Sequence, residues 1–211
     1  MGIKKRGIVN KKRKAILTDA KWLIVRNYAV GEAKPLLQEV RKRKKGDKFR
    51  KALINYLIVR TVSIFEIFHI NMAYDCTSSR RRNARKLFTE IKTNATIADQ
   101  IISSFSFMDL EQVNQVFSTM LDTDFFTEIK NQSVRYAPDY YIEREHISHT
   151  RLLHKNWDYV CSIFDIRHDI VHHNKPVDLK YSEIRDLIGG LMEFMMCSLM
   201  IIPHKITLPK F

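Results

Sequence analysis

The sequence predicts an all-α protein, and three observations predict it. Apolar residues recur at helical rather than alternating spacing in almost every segment. No run of β-branched residues bounded by turn signals reads as a strand. The punctuation is that of helices: side-chain caps, few Gly and Pro, and short connections. With 211 residues, of which 45% are apolar and 28% charged, the chain can bury a core without disulfide or metal staples. Cys76, Cys161 and Cys197 lie far apart with no C-x-x-C pair, so they read as reduced, mostly buried thiols of a cytoplasmic protein.

Charge divides the chain unevenly. Residues 1–51 carry 18 Lys and Arg against four acids, while residues 52–211 carry 18 against 19. Residues 1–46 therefore read as a basic N-terminal extension and residues 47–211 as the helical domain. Runs such as Lys11-Lys12-Arg13-Lys14 and Arg41-Lys42-Arg43-Lys44-Lys45 repel themselves unless a polyanion is near. Lys12 and Arg13 are accordingly candidate nucleic-acid contacts. The charged first residues run into more Lys and Arg, not into the apolar stretch and cleavage site of a secretory leader.

The elements follow in order. A short helix is expected over Thr18 to Tyr28, with Trp22, Leu23 and Val25 apolar, and a second opens at Pro35 and runs through Leu36, Leu37 and Val40. After Gly46-Asp47 comes the strongest long helix, to about Asp75, with Phe49, Leu53, Tyr56, Leu57, Ile64, Ile67 and Phe68 as a wide apolar face. Arg80, Arg81, Arg82 and Arg85 open the next segment and are candidate contacts to a nucleic-acid backbone. Asp109 with Gln112 is a capping-box start for a helix through Val113, Val116, Phe117 and Met120. Gln132 to His146, with Pro138, reads as a loop.

A helix from about Thr150 to His173 follows, with Leu153, Trp157, Val160, Cys161, Phe164 and Val171 inward. Asn174 tolerates the left-handed position and Pro176 cannot continue the helix, so it ends there. The last helix, about Asp178 to Ile202, is nearly all apolar from Leu187 and pairs with the previous one as an antiparallel hairpin. Glu193 and Gly189-Gly190 mark it as a buried core helix rather than a bilayer span.

The chemistry concentrates in Asp165-Ile166-Arg167-His168-Asp169-Ile170-Val171-His172-His173-Asn174, at the end of a helix whose earlier turns are apolar. An imidazole with a pKa near ~6.5 suits proton transfer at neutral pH, and a guanidinium offers a phosphate a bidentate fork. RNA brings its own nucleophile, the 2′-OH, so the two together suit RNA cleavage. Arg167 and His172 are five positions apart, about 140° around an ideal helix. Either the helix frays at His172 or the long Arg side chain reaches round. The competing structural account is a charged stripe closing the helix, with Arg167 paired to Asp165 or Asp169.

Other constellations are weaker. His146, His149 and His154 beside Glu143 and Glu145 lack finger-like spacing and read as surface histidines rather than metal ligands. Tyr140, Tyr141 and Trp157 can stack on bases, though Trp157 sits at core spacing. No phosphate-binding glycine loop is present, so nucleotide hydrolysis and dinucleotide chemistry find no support.

The string Arg167-His168-Asp169-Ile170-Val171-His172 resembles the R-polar-x-x-x-H motif of the HEPN superfamily, all-helical ribonuclease and RNA-binding domains of toxin and antiviral systems. Phe65-Glu66 in a long early helix, Phe164 ahead of the Arg and a final apolar helix are similar too, over roughly residues 50 to 202. The resemblance implies a HEPN-like bundle and a homodimer with a composite cleft. It implies metal-independent endoribonuclease activity without a cofactor, leaving 2′,3′-cyclic phosphate and 5′-hydroxyl ends. Arg167 matches the motif Arg, His172 the motif His, and His168 the polar neighbour, where Asn or Asp is more usual. Lys175, just past the motif, joins the candidate RNA contacts. The expected partners are RNA, a second copy and an antitoxin or regulatory protein, with no membrane. The alternative is a catalytically silent module of the same type that binds RNA or a protein.

Overall fold

A computed structural model describes residues 21–90, 95–135, 150–152 and 157–207. The chain is helical from residue 21 to Lys42 without the expected break. Asn27–Ala33 forms π turns that lead directly into helix α1, Lys34–Lys42. Pro35 explains the widening: it cannot donate to the carbonyl four residues back and its ring crowds that turn, while the Lys34 N–H reaches Ala29 O, five residues back. Val25, Tyr28, Ala29, Ala33, Leu37 and Val40 are buried in the same core as the rest of the bundle. The boundary expected at residue 46 therefore falls inside one packed unit, and Lys12 and Arg13 lie outside the described residues.

Gly46 takes a φ of 90° and Asp47 caps helix α2, Lys48–Ser79, by accepting from the Arg50 N–H at 2.8 Å. This helix is the axis of the fold and is buried on several sides. Ile54, Leu57, Ile58, Val62, Phe65, Phe68 and Met72 are inside, whereas Phe49, Tyr56 and Ile67 from the expected apolar face are about half exposed. A helix that is apolar nearly all round has no single face to read. Tyr56 instead donates to Glu32 at 2.6 Å, and Phe49 lies under the Arg43 guanidinium at 4.3 Å.

A short helix α3, Arg81–Ala84, and a 3₁₀ turn, Arg85–Leu87, follow. Helices α4, Ile97–Ser104, α5, Leu110–Leu121, and α6, Phe125–Asn131, cover one side. Asp109 caps α5 as expected, accepting from the Glu111 and Gln112 N–H groups. The Gln112 amide donates back to Asp109 at 3.0 Å, while its oxygen takes the Ser106 N–H at 2.7 Å.

Strands β1, Ser133–Arg135, and β2, Thr150–Leu152, form an antiparallel ribbon with Val134 opposite Arg151. Three residues per strand leave too short a pattern to register as alternation. The ribbon also corrects the helix expected from Thr150, because helix α7 spans Trp157–His172. Helix α8, Tyr181–Thr207, closes the bundle and passes through Pro203.

Long-range bonds fix the directions of the core helices. Arg50 meets Leu179, His69 meets Ser198 and Arg80 meets Lys205, so α2 and α8 run parallel. The chain turns back between α7 and α8, so α7 is antiparallel to both, as the hairpin expectation requires. Helices α2 and α8 are each long and apolar enough to cross a membrane, and 78% of the most apolar stretch of α8 is buried inside this bundle.

His69 sits at the centre, ringed by Phe65, Phe68, Phe117 and Phe194. Its Nδ1–H donates to Phe65 O at 2.9 Å, and the Ser198 hydroxyl faces Nε2 at 3.2 Å. Burial pushes the imidazole down to about 3. The unfolded chain takes up this proton near pH ~6.5 and the folded chain resists it, so the contribution is complete above that pH and is lost as pH falls towards about 3. Urea midpoints at pH 7 and pH 5 should therefore differ by roughly 2 kcal/mol of stability. His69→Gln should be less stable at pH 7 but should have a distinctly flatter acid slope.

Candidate functional site

The motif occupies the last two turns of α7. Its upstream turns are anchored by Val160 and Ile163, both fully buried, and by Phe164, edge-on to Phe65 at 5.2 Å. Val160, Phe164, Arg167 and Val171 follow at i, i+4, i+7 and i+11, one stripe of the helix. Its cover thins along the helix: Val160 is fully buried, Phe164 and Arg167 are half-buried, and Val171 is 45% exposed. Val171, expected inward, is thus open, although Ile166 and Ile170 on the neighbouring face still pack on the core.

The helix does not fray. The His173 N–H still reaches Asp169 O at 3.1 Å. The Arg167 side chain instead reaches round the helix, placing Nη1 3.4 Å from His172 Nε2. A guanidinium only donates, so this contact assigns the Nε2 lone pair to face Arg167 and the hydrogen to Nδ1. At 3.4 Å the contact is long enough for a ligand to compete with it. Among the described residues no carboxylate lies within ion-pair distance of Arg167, so neither Asp165 nor Asp169 neutralises it. The His168 ring lies 4.7 Å from His172 and 5.1 Å from His173, and all three histidines are exposed.

The turn after the motif is held rigidly. Asn174 takes the left-handed conformation expected of it, with φ 48°, and lets the Lys175 N–H fold back to Asp169 O at 3.1 Å. The Asn55 side chain on α2 reads the Val177 backbone at two points, accepting its N–H at 3.0 Å and donating to its carbonyl at 3.3 Å. The Arg50 guanidinium, 4% exposed, donates to Asp178 and to Leu179 O at 2.6 Å. Asp178 also accepts the Gly46 N–H at 2.8 Å.

Arg50, Asn55 and Asp178 were not legible as site residues. Arg50 reads as one more cation in the basic run, although Ile54 and Leu57 at i+4 and i+7 place it on a core-facing stripe.

Through these bonds the basic turn of residues 41–48 lies beside the motif's turn. Arg41 stands 5.9 Å over the Tyr181 ring. Lys44, Lys45 and Lys48 are exposed and have no ion-pair partner among the described residues. Lys175, also exposed, is at the same end. Arg80, Arg81, Arg82 and Arg85 are not: they lie at the far end of α2, about 45 Å away at 1.5 Å per residue.

Trp157 is packed against Phe126 and Phe194 at 4.9 and 5.9 Å, with Lys130 Nζ 4.1 Å from its ring, which makes it part of the core edge. Tyr140, Tyr141, Glu143, Glu145, His146, His149 and His154 lie outside the described residues. Among the described residues no cluster of His, Cys, Asp and Glu has metal-holding geometry. Burial pushes the Cys76 thiol up to about 12, and burial raises Cys161 and Cys197 as well.

Comparison with protein-family models, with curated proteins and with solved structures returns no match.

Removing one partner of a buried ion pair leaves the other uncompensated. Asp178→Ala should therefore cost about 3 kcal/mol, read as a fall in the urea midpoint. Arg167→Ala, which breaks no ion pair among the described residues, should leave the midpoint nearly unchanged.

Proposed function

We propose that the protein is a metal-independent endoribonuclease of the HEPN type, acting as a homodimer whose two motifs share one cleft. The observation that carries this reading is the Arg167 guanidinium, without an ion-pair partner among the described residues and 3.4 Å from His172 Nε2. A guanidinium serving only to close a helix pairs with a neighbouring carboxylate, and two stand within two residues of this one.

In the proposed reaction a phosphodiester enters between the two side chains and takes over the Arg167 donors. His172 Nε2, freed of that contact, removes the proton of the 2′-OH. The 2′-oxygen bonds to phosphorus, the P–O5′ bond breaks, and the departing 5′-oxygen takes a proton from a second imidazole. The products are a 2′,3′-cyclic phosphate and a 5′-hydroxyl. Arg167 offsets the extra negative charge on the phosphorane oxygens. His168, its ring tilted against His172 at 4.7 Å, orients that ring and shares the acid–base work.

One feature supports a shared cleft. The stripe through Arg167 and Val171 is open at Val171, near the end of the motif, so a second copy has an apolar edge to meet. A two-fold axis beside it brings two copies of His172 to one phosphate, one as base and one as acid. The cations of the turn at residues 41–48, with Lys175, then lie along the RNA backbone on either side of the cut. Such an enzyme harms its own cell unless restrained, which fits a toxin or defence effector held by an antitoxin or regulatory protein.

The deciding measurement is incubation of wild type, Arg167→Ala and His172→Ala with total RNA in EDTA, followed by mapping of the ends. Cleavage by wild type alone, with cyclic-phosphate ends and a loss of at least about a hundredfold in each variant, is expected. No cutting by any of the three would favour the silent binding module. For the shared cleft, wild-type and His172→Ala chains mixed into heterodimers should lose far more than half the wild-type activity. Retention of half would place a complete site in each protomer.

A further inference from the structure

We infer that the hollow at the far end of α2 is a separate binding site for an oligophosphate, the di- or triphosphate group of a nucleotide or of an RNA 5′ end. The hollow has a volume of about 270 Å³ and is walled by Ser79, Arg80, Arg81, Arg82, Asn83 and Lys86. Four of these six side chains are cationic, and no carboxylate is among them.

Part of the wall is fixed. Arg80 is held in place, one terminal nitrogen donating to Lys205 O. Asn83 is likewise set into the wall by its bond to Met120 O at 3.0 Å. Arg81 and Arg82, by contrast, are exposed and make no ion pair among the described residues, so they can close on an incoming anion.

The plainer account is that these cations offset the C-terminal dipole of α2. That pole supplies only about −0.5 of a charge, too little for four cations, and among the described residues the one carboxylate within ion-pair distance of them is Asp122, 4.0 Å from Lys86. A phosphodiester brings a single negative charge. A terminal phosphate brings about −1.5 to −2, and each further phosphoryl group adds about one more, so an oligophosphate matches this wall best. The Arg forks suit its paired oxygens. Arg85 is exposed and outside the wall.

This site lies roughly 30 Å along α2 from the motif, so its test does not depend on cleavage. Calorimetric titration of the full chain with phosphate, pyrophosphate and tripolyphosphate at fixed ionic strength should give affinity rising in that order. Arg81→Gln combined with Arg82→Gln, both at exposed positions, should weaken tripolyphosphate about tenfold or more, while Arg167→Ala leaves it unchanged. Equal weak binding of all three anions, or undiminished binding in the double variant, would overturn the site. In the Arg167→Ala background, tighter binding of a 5′-triphosphate RNA than of both a nucleoside triphosphate and the same RNA with a 5′-hydroxyl identifies the RNA end as the source. Equal binding of the triphosphate RNA and the nucleotide identifies the free nucleotide.

Discussion

The ion pair between Arg50 and Asp178 is the constraint on which the geometry of the motif depends. Taking two charges out of water is expensive, and their attraction offsets that cost only when the remaining donors and acceptors are satisfied. Here Arg50 also donates to Leu179 O, and Asp178 also accepts the Gly46 N–H. Such a pair contributes little net stability over an apolar one of the same shape, but it fixes register. Parallel helices packed by Ile, Leu and Phe can slip along one another at modest cost. A guanidinium matched to one carboxylate and one carbonyl cannot. The pair, with Asn55 on the Val177 backbone, therefore sets where α7 ends relative to α2 and brings the basic turn alongside.

Beyond that anchor, the last turns of α7 are distinguished by what they lack. The guanidiniums of Arg50, Arg60 and Arg185 each meet a carboxylate, Asp178, Glu32 and Asp186 respectively. Among the described residues Arg167 meets an imidazole nitrogen and no carboxylate, at a distance where the bond is weak. Its half-exposed position keeps the cost of leaving it unneutralised small. An anion that arrives there has no internal ion pair to displace, which is the electrostatic condition for phosphate binding. The cover that thins along this stripe leaves Arg167 half-exposed and Val171 exposed, so a guanidinium and an uncovered apolar residue lie side by side. A protein surface approaching that stripe buries the second while enclosing the first.

What was legible in the sequence was local chemistry. Asp109 caps the helix it was expected to cap, and Asn174 takes the left-handed turn, because caps and turns depend on a few adjacent residues. The hairpin of α7 and α8 followed from the same signals. The inward face of α2 was legible in part: Leu57, Ile64 and Phe68 are buried as expected and Phe49, Tyr56 and Ile67 are not, since a helix surrounded by others offers little contrast between faces. The role of Arg50 was not legible, because its partner lies 128 residues away and its neighbours suggested surface charge. The helix expected from Thr150 failed because β2 occupies three of its residues. Between Arg167 and His172, spacing alone left two geometries open, and only the path of the Arg side chain decides between them.

The distribution of charge acquires a different meaning once the chain is folded. In sequence the basic excess is an N-terminal property, and it reads as a tail. In space, Val25, Tyr28, Ala29, Ala33, Leu37 and Val40 are core, and the cations that follow them are delivered to the turn beside the motif. The arginines from Arg80 onward belong to a region of nearly balanced charge, yet they gather at the opposite end around a hollow. A single 32-residue helix holds the two cationic ends apart at a fixed distance. An anion at one end therefore exerts almost no direct field at the other, since their separation is several Debye lengths at physiological salt. Only an RNA long enough to run the length of α2 can engage both. Occupancy of the two ends by anything shorter is independent unless the rigid helix itself carries the coupling.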